Sequence, residues 1–390
     1  MIDRRNFLRS VLLGSGSTLL PLARGQQADS AKKEFGEVPA WCSQQQQTDA
    51  VRRIIYERDV ISSLGQEDDF IAVGRIQEAA REEGIYLRLK ASGCSSLLLY
   101  LAGLSDVDPL RHQLFFERFR DPKGRWSPPL VIQIDRQDQK RIGDIVAPRH
   151  IQALVERTTC FIPSVGLERA PSLVVAAIHG PKGVTEHLTR IPLDDAATFD
   201  FIRKGDLDGV AVLHLGPLRR LLPRLQPATI EDLVAIAALY SLSVECDELM
   251  NEYLDTCGEP RFPGANDPSI LEALKGTRGL LLYQEQIMML LNRLGGVDLA
   301  DGYEFIKAAS KRKRGVVAGY RGTFLQSARE RGIDEKTAYS LFEKMVNASG
   351  YAICKASYLG KTMTMYQAAY LKAHYPSEFS RVLRELRADG

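Results

Sequence analysis

From Asp194 to the end of the chain, apolar residues return at three- and four-residue intervals with little interruption. The spacing predicts helices over 195–204, 217–225, 229–241, 280–295, 298–309, 315–331, 334–348 and 360–387. The last is broken at Pro376, because proline has no amide hydrogen to continue the helical ladder. So long a stretch of one period excludes a sheet-based second half. The first half reads differently. Helix faces at Val51, Ile54, Ile55, Val60 and Ile61, and over Asp69–Glu83, lead into a short strand "GIYLRLK" and a buried helix "CSSLLLYLAGL". A helix "DPLRHQLFFERF" opened by Pro109 follows, then strands at Leu130–Asp135 and Ser172–Gly180. The expected fold is α+β: a mixed domain over 48–190 and an almost wholly helical one over 191–390. With 390 residues, 45% of them hydrophobic and 26% charged, the chain has core enough for both.

The first 25 residues carry a separate signal. Arg4, Arg5 and Arg9 precede a modestly apolar run from Val11 to Ala23, and Ala23-Arg24-Gly25 offers small residues for cleavage. The run is too short to cross a hydrocarbon core of ~30 Å. Its arginines also precede the apolar residues instead of sharing their turns, which excludes an interfacial helix. "RRNFLR" resembles the twin-arginine export motif, which implies the export machinery as a partner and a periplasmic or otherwise extracytoplasmic destination. Retention in the cytoplasm is the alternative. Residues 26–47, ending in four glutamines, read as a polar linker.

Charge and motif content narrow the chemistry. Without residues 1–25, which hold four Arg and one Asp, the formal net charge falls from +2 to −1, so no strong sequence-independent grip on a polyanion follows from composition. Six scattered cysteines and six histidines show no metal-ligand spacing, and no Walker loop, GxGxxG or GxSxG occurs. Asp106-Val107-Asp108 precedes Pro109 at a helix start, where acids cap backbone N–H groups. "GDLDG" at 205–209 reads as a turn.

Several stretches resemble the fingers region of the bacterial DNA polymerase III alpha subunit. They are "IPLDDAATFDFIRKGDLDGVAVLHL", "RLQPATIEDLVAIAALY", "RGLLLYQEQIMMLLNRLGGVDLADGYEFIKAASKRK", "ASGYAICKASY" and "YQAAYLKAHYPSEF". "ERDVISSLGQEDDFIAVGRIQEAAREEG" and "LKASGCSSLLLYLAGLSDVDPLRHQLFFERF" resemble the start of that enzyme's palm. The resemblance implies a polymerase-beta-like nucleotidyltransferase palm followed by helical fingers.

The same resemblance implies a lost active site. Polymerases of this family clamp two Mg²⁺ ions with palm aspartates at i and i+2, and those positions fall on Ile132 and Ile134. A register slipped by one uses Asp135 with Gln133 and supplies a single negative charge, a poor site for a hard dication. The third aspartate of the family has no counterpart before Ile191, and the residues between Asp135 and Arg169 are too few for the inserted thumb. The family's amino-terminal phosphoesterase domain and its carboxy-terminal clamp-binding and OB-type modules are also expected to be missing.

The Gly-rich phosphate loop is reduced to "LKASGCSS", leaving Lys90, Ser92 and Gly93 as phosphate-binding candidates. Ile306 and Lys307 stand where the family has paired arginines, and Lys355 is kept beside Cys354, Ala356 and Ser357. Lys307 and Lys355 complete the nucleotide-binding candidates. Lys311, Arg312, Lys313, Arg314 and Arg321 are the DNA-contact candidates, with a solvated helix end as the competing reading. The expectation is a catalytically degenerate, exported binding or scaffold protein with DNA or another protein as partner, no catalytic residue, no metal and no cofactor. A residual DNA-directed DNA polymerase requiring Mg²⁺ is the alternative.

Overall fold

The computed structural model describes residues 11–12, 44–146, 159–164, 166–181, 184–205, 207–211, 216–242, 246–255 and 267–388. The leader with Arg4 and Arg5, and most of the expected linker, lie outside the described residues. Two compact units emerge: Met1–Ile191 together with Ser377–Gly390, and Pro192–Pro376.

In the first unit, α1 (Gln44–Ser63) and α2 (Glu67–Glu82) lead to β1 (Leu87–Lys90), a 3₁₀ turn at Ala91–Ser95 and the short α3 (Leu97–Leu101). There follow β2 (Leu130–Asp135), α4 (Gln139–Val146), β3 (Thr159–Ser164), α5 (Ala170–His179) and α6 (Val184–Thr189). The sheet order is β1-β2-β3, with β1 antiparallel and β3 parallel to β2. Leu87 and Leu89 on β1 and Leu130, Ile132 and Ile134 on β2 are buried together with Phe70, Phe116 and Phe119. Edge-to-face stacking of Phe116 on Phe119 at 5.9 Å joins that core.

Among its described residues the second unit is built of helices: α7 (Ala196–Lys204), α8 (Gly216–Leu225), α9 (Ile230–Ser241), α10 (Cys246–Asp255), α11 (Pro268–Leu274), α12 (Gln284–Gly295), α13 (Leu299–Ser310), α14 (Arg314–Glu330), α15 (Glu335–Ala348) and α16 (Lys355–His374). A final helix, α17 (Pro376–Ala388), groups with the first unit from Ser377 onward. Buried residues recur around most of α16, including Leu359, Met363, Tyr366 and Ala368, as expected of a central helix. α7 and α9 both pack on it. α12 and α13 meet so closely that a Cβ at Gly302 would stand 3.2 Å from the Met288 backbone, so a side chain there would force the helices apart.

Four expectations change. Ser172–Gly180 is the body of helix α5, not a strand: Pro171 occupies its first turn, where the missing amide hydrogen costs nothing, and β2 is already paired on both edges. "DPLRHQLFFERF" makes only a turn and a 3₁₀ segment at Phe116–Arg118, because Gln113 adopts φ 53 and so ends the turn. The helix α1 begins at Gln44, inside the expected linker. β3, α10 and α11 were not anticipated.

Candidate functional sites

The two faces of β2 have opposite chemistry. Ile132 and Ile134 are 0% and 1% exposed and belong to the apolar core. The other face carries Gln133 and Asp135, beside Arg88 of β1, whose backbone is in register with Gln133. Every charge described on this face has a partner. Gln133 Nε2 donates to Glu168 Oε2 at 2.6 Å, and Arg169 Nε donates to Asp135 Oδ2 at 2.6 Å. Arg88 Nε lies 3.3 Å from Asp106 Oδ2 and donates to Tyr86 Oη at 3.0 Å, while Tyr86 Oη donates to Asp106 at 2.7 Å. Burial works to lower the Arg88 pKa, but Tyr86 and Asp106 outweigh it and hold the guanidinium charged. Arg88, Tyr86 and Glu168 escaped sequence reasoning, and Asp106, read there as a helix-start acid, instead engages Arg88 and Tyr86; nothing local marks Asp106 or Glu168 as neighbours of these strands.

Lys90 ends β1 and is buried. Burial and the neighbouring Arg88 pull its pKa down to about 8, against the opposing pull of Glu168. Ser92 and Gly93 are buried in the 3₁₀ turn, where a Cβ on Gly93 would meet Leu89 at 3.2 Å. The N–H groups that open α3 serve a carboxylate within the protein. Glu57, fully buried, accepts from Leu97 N at 2.8 Å, Leu98 N at 3.1 Å and Ser96 Oγ at 2.7 Å, and pairs with Arg53 at 2.7 Å. Asp108 caps the turn after it through Leu110 N and Arg111 N, as its position before Pro109 suggests.

The second unit repeats this device. Glu285, 2% exposed, accepts from Lys355 N at 2.8 Å and Ala356 N at 3.2 Å, so a carboxylate sits on the N-terminus of α16 and meets its dipole. Burial lowers the Lys355 pKa, opposed by Glu231 and Glu285, and its Nζ stands 5.8 Å from the Tyr283 ring centroid. Lys307 on α13 pairs with Glu304 and faces the Tyr303 ring at 5.3 Å.

The basic run forms the turn between α13 and α14. Lys311, Arg312 and Lys313 donate their backbone N–H groups to Lys307, Ala309 and Ala308, and Arg312 takes φ 54 to close the turn. The four side chains of Lys311, Arg312, Lys313 and Arg314 are exposed, and none makes a hydrogen bond or ion pair among the described residues. Arg321 differs: it pairs with Glu343 at 2.6 Å and lies against Phe342 and Tyr339.

A small mixed sheet carrying a charged face, followed by a long helical unit, defines the class: an α+β polymerase-type palm with helical fingers. Comparison with known proteins names the family. Residues 26–164 match the bacterial DNA polymerase III alpha NTPase domain, and residues 172–332 match the bacterial DNA polymerase III alpha subunit finger domain. The chain belongs to the bacterial DNA polymerase III alpha-subunit family. The DNA polymerase III subunit alpha of Mycobacterium tuberculosis (strain H37Rv) is 34% identical over 467 residues, covering 84% of this chain and 39% of its own length. That of Staphylococcus epidermidis (strain RP62A) is 31% identical over 449 residues, covering 84% and 42%. This chain therefore spans about two fifths of the length of these relatives. The matched stretches are also longer than the 390-residue chain itself, so the relatives carry insertions relative to it.

Mg²⁺ is the ion this family implies, and the residues present do not fit it. Ile132 and Ile134 offer no oxygen, Asp135 is engaged by Arg169, and Glu168 by Gln133. A hard dication needs several anionic or carbonyl oxygens at one point. Among the described residues, no group of three or more His, Cys, Asp or Glu side chains converges to hold a metal.

Proposed function

We propose that this chain is a catalytically degenerate DNA polymerase III alpha homologue that acts by binding, as an exported scaffold, and contacts DNA phosphates through Lys311, Arg312, Lys313 and Arg314. One observation carries the loss of catalysis: the strand that should present paired aspartates buries two isoleucines, and the acids on its other face are each bound to an internal partner. Two-metal phosphoryl transfer needs carboxylates free to ligate. The binding role is supported by four adjacent exposed cations without partners among the described residues, a local basic footprint on a nearly neutral chain. Export is supported by Arg4 and Arg5 ahead of a short apolar run.

The test is primer extension with the purified full chain in Mg²⁺ or Mn²⁺, paired with fluorescence-anisotropy titration of DNA across a salt series. The expected result is no template-directed incorporation together with salt-sensitive binding. Incorporation overturns the reading in favour of a residual polymerase, and absence of binding at low salt moves the partner from DNA to protein. Sequencing the mature N-terminus after cell fractionation tests the export claim: an intact leader on cytoplasmic protein refutes it.

A further inference from the structure

A second site lies in the first unit, away from the β2 face. A cleft of about 380 Å³ is lined by Leu64, Pro128 and Pro129, which are apolar, and by Gln66, Ser127, Asp69 and Arg120. Arg120, 3% exposed, is the most deeply buried of them. A guanidinium this deep is costly unless its charge and its donors are answered.

Arg120 is held rigidly. Its guanidinium stacks on the Phe119 ring at 3.8 Å, Nε donates to Gln66 Oε1 at 3.0 Å, and Nη1 donates to the carbonyls of Pro128 at 2.6 Å and Phe119 at 3.3 Å. Nη2 donates to nothing among the described residues and is not sealed from solvent. Burial pulls the Arg120 pKa down to about 10 and Asp69 opposes that fall, so the side chain is a cation at neutral pH. Asp69 is itself engaged within the protein, so it balances the charge of Arg120 and offers no group to a ligand.

The cleft is thus balanced in charge while one donor stays open. An anion entering it sheds its water for a cation that Asp69 already answers, and a cation is repelled by Arg120. A neutral carbonyl loses less on leaving water and still gains a hydrogen bond from a charged donor, the stronger kind. We propose that this cleft binds a small uncharged amide, its carbonyl oxygen accepting from Arg120 Nη2 and its apolar part lying against Leu64, Pro128 and Pro129. Gln66 Nε2, which donates to Ser127 Oγ at 2.8 Å, braces the rim.

The experiment is a ligand-observed NMR titration of the full chain with N-methylacetamide. Acetate and methylammonium serve as charged controls, and N-methylthioacetamide as the same shape with a weaker acceptor. Saturable binding of the amide is expected, at least about tenfold tighter than either charged control, a difference of roughly 1.4 kcal/mol. The thioamide should bind more weakly than the amide. Arg120→Gln should weaken amide binding about tenfold, since the charged donor is lost. Asp69→Asn removes the balancing charge and should turn the preference toward acetate. Ser127→Phe, which narrows the cleft and leaves the three hydrogen bonds of Arg120 in place, should abolish binding, and decides the matter if the other variants do not fold. No saturable response to the amide, acetate binding as tightly as the amide to the parent chain, or binding unchanged by Ser127→Phe overturns the proposal. None of these results depends on whether the chain binds DNA.

Discussion

The charged face of the palm-like sheet and the basic turn of the fingers-like unit hold comparable numbers of charges in opposite circumstances. On the sheet, Arg88, Asp106, Glu168, Asp135 and Arg169 each meet a partner within the protein, and Arg88 lies almost wholly out of water. On the turn, Lys311, Arg312, Lys313 and Arg314 stand in solvent with no partner among the described residues. Buried, mutually satisfied charges hold a structure together and have no valence left for a metal or triphosphate. Exposed, unanswered charges add little to stability and remain available to a ligand. The contrast separates charges answered within the fold from charges left in solvent.

The comparison breaks hardest if acids can be placed on the apolar face of β2. Ile132→Asp with Ile134→Asp should place two carboxylates in an apolar core and cost more than about 5 kcal/mol, seen as loss of the cooperative urea transition of the first unit. A folded double variant that incorporates nucleotides with Mg²⁺ would show instead that this face still serves a site.

A smaller effect sharpens the account of the buried face. The folded Lys90 pKa of about 8 lies below its ordinary 10.5, so between those values the unfolded chain binds more protons than the folded one. Stability should therefore rise with pH across that window, by roughly 3 kcal/mol in total. The difference in unfolding free energy between the parent and Lys90→Met isolates this contribution; a flat difference means that Lys90 is solvated. The smallest change in stability belongs to the turn. Replacing Lys311, Arg312, Lys313 and Arg314 with Gln should shift stability by no more than about 0.5 kcal/mol. It should also reduce the salt dependence of DNA binding, lowering the slope of log K against log salt by as much as about 3. An unchanged slope removes this turn from the DNA interface.

How much of this was legible follows from range. α7, α9 and α12 to α15 were readable because helical period and capping are local: Asp195 caps α7 through Thr198 N, and Thr229 with Asp232 forms a capping box on α9. "SLVVAAIH" was misread because an apolar run without period suits a buried strand or a buried helix equally. The stacked imidazoles of His179 and His187, 3.9 Å apart, join two helices that no spacing rule connects. Arg120 reads as one more arginine in "ERFRDP" until Phe119, Gln66 and Pro128 close around it.

The amino-acid order alone determined the sequence of elements through most of the fingers-like unit, the isoleucines at 132 and 134, and the run of four adjacent cations. Tertiary structure alone decided which face of β2 enters the core, which carboxylates Arg88 and Arg169 engage, and that the N-termini of α3 and α16 are occupied by Glu57 and Glu285. The reason is physical: periodicity and caps act over a few residues, whereas the partner of a buried charge is chosen by chain segments that meet only when the core closes.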